Sequence, residues 1–81
     1  MKWGDKIIMD KMIIDIQKYY NNDIEKLSKD LNITKEYWYM IRDGKRKPSD
    51  KLIFKISEKT KIDFKKMYIF FVKLNNKMLN E

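Results

Sequence analysis

At 81 residues the chain has room for one small core and little for an enclosed cleft, so nearly every apolar residue is needed for packing. Histidine and cysteine are both absent, which removes the usual neutral-pH general base, the thiol nucleophile, structural zinc and disulfides, and suits a reducing cytoplasm. A balance of 19 Lys plus Arg against 12 Asp plus Glu gives a formal charge of +7, which favours polyanionic partners, although lysine-rich surfaces also serve solubility alone.

The first amphipathic segment spans residues 5–20. Met9, Met12, Ile13, Ile16 and Tyr20 recur at three- and four-residue steps, and Ile7, Ile8 and Ile14 widen the apolar face. This stretch carries Asp5 and Asp10 and no small-residue cleavage site, so it is not expected to be a signal peptide. Asn21, Asn22 and Asp23 break the helix. Asn22 is the expected N-cap of a second helix, with Glu25 closing a capping box, and Ile24, Leu27 and Leu31 form its buried stripe.

The connection that follows must turn within about three residues, which requires a left-handed backbone position, and Asn32 is the residue there that tolerates it best. Thr34 offers a hydroxyl cap to a third helix over residues 35–43, ended by Gly44. In that helix Trp38 and Ile41 point inward against Leu27 and Leu31, with Tyr37 beside them. Lys35, Glu36, Tyr39, Met40 and Asp43 are left facing out. Between Arg42 and Lys51 there are five cations and two acids, with three of the cations in the loop Gly44, Lys45, Arg46, Lys47, Pro48 and Ser49. Such a loop is either a solvated lysine-rich connection or a phosphate-binding segment.

Ser49 caps a fourth helix with Leu52, Ile53 and Ile56 inward, and Asp63 caps a fifth beginning at Phe64. Met67, Phe71, Leu74 and Met78 form one stripe of that last helix, while Tyr68, Ile69, Phe70 and Val72 broaden its apolar surface. The surplus is read either as closure of the bundle or as a pairing surface. Residues 68–72 also have strand-like composition, so a C-terminal strand remains an alternative there. The longest unbroken apolar run, residues 67–72, falls far short of the roughly 18 to 20 residues that cross a bilayer, so no membrane partner is expected.

The ordered set over residues 22–68 resembles the phage-repressor or Cro-like helix-turn-helix proteins, also called the xenobiotic-response-element type. It rests on Leu27, Ser28 and Leu31 in helix two, Asn32 at the turn with Ile33 after it, Trp38 and Ile41 in the next helix, and the loop Gly44, Lys45, Arg46, Pro48 and Ser49. The resemblance implies an all-α, five-helix lambda-repressor-like domain occupying residues 1–81, with its helix-turn-helix core at about 22–68 and a dimerisation segment at 69–81. It implies a transcriptional regulator that binds double-stranded DNA as a homodimer, with no catalytic residue, cofactor or metal. Lys35, Glu36, Tyr39 and Met40 fall at the base-reading positions, and Asn22, Thr34, Arg42, Lys45, Arg46 and Lys47 at phosphate-contacting ones. Met67, Phe70, Phe71, Leu74 and Met78 are the expected dimer interface.

The chain departs from that pattern in two places. Ile24 stands where the family often has a phosphate-contacting glutamine, and Lys35, Glu36, Tyr39 and Met40 replace the usual Gln, Arg, Asn or Ser readers. The alternative reading is therefore a domain of the same fold that grips a protein, such as an antitoxin or a mobile-element inhibitor.

Overall fold

The computed structural model describes residues 10–79, with side chains described through residue 76. Five helices fill that span, with no strand among the described residues: α1 (Lys11–Tyr19), α2 (Ile24–Leu31), α3 (Lys35–Arg42), α4 (Asp50–Thr60) and α5 (Phe64–Leu79). Residues 68–72 are thus helical, with Phe71 continuing the buried stripe that begins at Met67 and Ile69 left exposed.

The expected helix over 5–20 is not continuous through Asp10. Asp10 has an extended backbone (φ −62°, ψ 148°) and α1 runs Lys11–Tyr19; the expected helical residues before Asp10, Ile7, Ile8 and Met9 among them, lie outside the described residues. The cap of α2 also differs. Asp23, not Asn22, accepts the backbone N–H of Lys26 at 3.1 Å. Asn21 and Asn22 both take positive φ (56° and 60°) and close the end of α1 through N–H bonds to the Lys18 and Gln17 carbonyls. Two consecutive left-handed residues cost little as asparagine, which frees the next Asx residue to be the cap.

The other caps follow the sequence. Thr34 Oγ1 accepts from Tyr37 N–H at 3.0 Å, Ser49 Oγ from Leu52 N–H at 3.2 Å and Asp63 Oδ2 from Lys66 N–H at 3.0 Å. All five helices contribute to one core. Ile13, Ile16 and Tyr20 meet Leu27 and Leu31, Trp38 and Ile41, Leu52, Ile53 and Ile56, and Met67 and Phe71.

One buried polar pair joins distant parts of that core. Trp38 Nε1 donates to Gln17 Oε1 at 3.0 Å, linking α3 to α1. The indole could not be buried at so little cost without an acceptor. A second link lies nearer the surface. Tyr20 Oη donates to Asp30 Oδ2 at 2.6 Å, and Lys59 Nζ donates to Asp30 Oδ1 at 3.3 Å, joining the end of α1 to α2 and α4. Burial, then the bond to the carboxylate, pushes the Tyr20 phenol well above its usual range, while that same hydrogen bond leads the effects that hold Asp30 below the usual carboxylate range.

Met67 (0% exposed) and Phe71 (1%) belong to this core, which corrects their expected place in a pairing surface. The bundle needs the middle of the α5 stripe to cover α4. Phe70 and Leu74 are half-buried, and Met78 lies outside the residues whose side chains are described. No described helix is long and apolar enough to cross a membrane.

Candidate nucleic-acid interface

The joint between α2 and α3 is the local device that sets the orientation of α3. Asn32 takes the left-handed region (φ 59°, ψ 46°). Its N–H reaches the Lys29 carbonyl at 3.2 Å, and the Ile33 N–H reaches that of Ser28 at 2.9 Å, so the last carbonyls of α2 are satisfied within the turn. Ile33 packs against the core beside it, and Ser28 is buried where the two helices approach. With Leu27 and Leu31 on one side and Trp38 and Ile41 on the other fully used inside, α3 can show only its opposite face.

That face carries Lys35, Glu36, Tyr39 and Met40, all exposed, followed by exposed Asp43. Two large apolar surfaces, the Tyr39 ring and the Met40 side chain, therefore sit in water between a cation and two acids. Glu36 lies in the first turn of α3, where the helix dipole favours a carboxylate.

The loop after α3 is held from several sides. Gly44 (φ 78°) ends the helix, with its N–H on the Ile41 carbonyl at 3.1 Å and the Lys45 N–H on that of Met40 at 2.9 Å. Pro48 is fully buried. Asn75 Nδ2, from the far end of α5, donates to the Gly44 carbonyl at 3.2 Å. That bond has no signal in the sequence, since 31 residues separate the partners and nothing marks Asn75 among the polar residues near it. The Gln17 bond to Trp38, also not anticipated, does leave a signal: Gln17 occupies a stripe position between Ile13, Ile16 and Tyr20, where a polar residue requires a buried partner.

The cations expected to meet DNA, Lys35 at the bases and Arg42, Lys45, Arg46 and Lys47 at phosphates, differ in how free they are. Lys35, Lys45 and Arg46 are exposed and take part in none of the four ion pairs among the described residues. Arg46 lies over the Tyr37 ring at 5.6 Å from its centroid, which steers the guanidinium without neutralising it. Arg42 is engaged, with Nε on Asp43 Oδ1 at 3.0 Å and the guanidinium 4.8 Å from the Tyr39 centroid. Lys47 turns towards α5, 5.2 Å from the Tyr68 centroid and 3.6 Å from Asp50. Thr34 and Asn22 are both exposed, the first already accepting one backbone N–H.

No protein-family model, curated protein or solved structure matches this chain. The α3 face brings together a cation, an acid and two apolar groups, flanked by a restrained basic loop. No group of three or more potential metal ligands occurs among the described residues.

A separate exposed apolar side lies on α4 and α5. Phe54 is 53% exposed, with its ring centroid 6.0 Å from that of Phe64, which in turn stacks on Tyr68 at 5.9 Å. Ile69 is exposed on α5 as well. The apolar surplus of the C-terminal segment is thus partly real, but its exposed part is Phe64, which meets Phe54 of α4, and Ile69, not Met67 or Phe71.

Proposed function

We propose that the chain is a sequence-specific double-stranded DNA-binding protein of the lambda-repressor-like helix-turn-helix kind, acting as a transcriptional regulator by occupying an operator. The observation that carries this reading is the α2–α3 joint, in which a left-handed Asn32 and a Thr34 cap leave the Lys35, Glu36, Tyr39 and Met40 face exposed next to the restrained loop. In this reading α3 enters the major groove. Lys35 donates to guanine acceptors, Glu36 accepts from a cytosine amino group, and Tyr39 and Met40 contact thymine methyls. Lys45 and Arg46 bind phosphates and supply affinity without sequence preference, whereas Arg42 and Lys47, already engaged, contribute less.

One such helix reads too few base pairs to single out an operator, so the protein acts as a homodimer. The pairing surface proposed for it is the exposed Phe54 and Phe64 side of α4 and α5. The two copies of Lys35 then lie about 34 Å apart, one helical repeat, and the operator is a near-palindrome. That same exposed side favours the second reading, a protein-interaction module of the same fold.

Selection from a random duplex pool at two salt concentrations tests the proposal. An enriched motif is expected, and replacement of Lys45 and Arg46 by alanine should weaken binding to every duplex. The log-log salt slope should fall in magnitude by about 0.9 for each phosphate that the variant no longer neutralises. Absence of binding at low salt would leave the interaction module as the reading.

A further inference from the structure

An open cleft of about 600 Å³ uses nothing from α3 or the basic loop. It is lined by Tyr19 and Tyr20 at the end of α1, Lys26, Lys29 and Asp30 on α2, and Lys59 on α4. Its size lies within the range of small-ligand sites.

The lining is organised for an anion with a flat ring. Lys26 and Lys29 stand three residues apart on one face of α2, and neither belongs to an ion pair among the described residues. Asp30, the one acid of the cleft, has both oxygens occupied, Oδ2 by the Tyr20 hydroxyl and Oδ1 by Lys59. Three ammonium groups against one satisfied carboxylate leave the cleft cationic. The aromatic component is fixed as well: Tyr20 is buried and hydrogen-bonded, and Tyr19 packs edge-on against it with centroids 4.9 Å apart. The Tyr19 ring nevertheless remains 52% exposed. A buried ring that holds an exposed one in place gives a planar group something rigid to stack on, at little entropic cost.

We propose that this cleft binds a free nucleoside phosphate, with the base stacked on Tyr19 and the phosphates between Lys26 and Lys29. The site is independent of the DNA-binding reading, since none of its residues lies on the α3 face. Either assignment can fail without the other.

The test is calorimetric titration of the full chain with adenosine triphosphate and, separately, with inorganic tripolyphosphate, which has the charge and no ring. The nucleotide should saturate with Kd below about 1 mM, several-fold tighter than tripolyphosphate. Lys26→Glu with Lys29→Glu should weaken both ligands at least tenfold, and Tyr19→Leu should bring the nucleotide down to the affinity of tripolyphosphate. All three side chains are exposed, so an unchanged thermal midpoint will show that the fold is kept. Failure to saturate, equal affinity for the two ligands in the parent protein, or full binding by the double variant would each overturn the proposal.

Discussion

The α2–α3 and α4–α5 joints have the same plan and different chemistry. Each is three residues long, with a left-handed residue, then an isoleucine against the core, then a capping side chain: Asn32, Ile33 and Thr34 in one, Lys61, Ile62 and Asp63 in the other. Asparagine suits its conformation, but Lys61 (φ 65°, ψ 18°) carries a Cβ and a long side chain into a region that only glycine and Asx residues enter cheaply. The second turn is held instead by its surroundings. Ser57 Oγ donates to the Ile62 carbonyl, the Lys61 N–H reaches the Ser57 carbonyl at 2.8 Å, and α4 and α5 form the most extensive helix pair. Local sequence specifies the joint that orients α3, whereas packing specifies the joint that orients α5.

Breaking the packing on either side should have the largest effects. Trp38→Ala should cost about 3 to 5 kcal/mol in urea unfolding, because it empties the centre of the core and leaves Gln17 Oε1 buried without its donor. Phe71→Ala should cost a similar amount, about 3 to 5 kcal/mol, whereas Phe54→Ser should stay within about 0.5 kcal/mol and instead weaken self-association in sedimentation. If Phe71→Ala proves as mild as Phe54→Ser, α5 is not part of the core.

Substitutions at the left-handed positions sharpen the contrast. Asn32→Ala should lose about 1 kcal/mol, and Lys61→Gly should gain about 1 kcal/mol, as read from paired denaturation midpoints. A Lys61→Gly variant no more stable than the parent would mean that the α4–α5 turn carries no strain.

The smallest expected effect is on pH dependence. Asp30 is held below its ordinary value of 3.8, so its carboxylate form is favoured by the fold. The stability it contributes is complete above that ordinary value and disappears as the pH falls through the lowered one. Asp30→Asn should therefore flatten the acid limb of a thermal-midpoint profile below about pH 4 and leave the slope near neutrality unchanged.

The same contrast explains what could be read from the chain. Asn32, Thr34, Gly44, Ser49 and Asp63 were legible because each solves a problem posed by its immediate neighbours, an orphan N–H or a positive φ. The α2 cap was displaced by one residue because Asn22 and Asp23 can both cap, and only the backbone closing α1 decides between them. The outward face of α3 could be inferred because Trp38 and Ile41 leave one side free. The faces of α5 could not, since a helix apolar on most of its circumference does not say which side meets α4. The engagement of Arg42 by Asp43 and Tyr39 is local in the sequence, whereas the turn of Lys47 towards α5 was hidden for a related reason. Tyr68 lies 21 positions from Lys47, and spacing says nothing about such neighbours.

The Asn75 bond to the Gly44 carbonyl makes the C-terminal helix a silent participant in any binding by the loop. Ordering a flexible segment on binding costs about 1 to 2 kcal/mol per residue, and a loop already set in place by a buried proline and a cross-chain amide avoids much of that cost. Loosening this tether would keep every charge on the loop and still slow capture, since the loop would have to find its shape during the encounter. On the proposed DNA-binding reading, sequence changes near residue 75 would thus tune the rate of capture without altering which sequence is chosen.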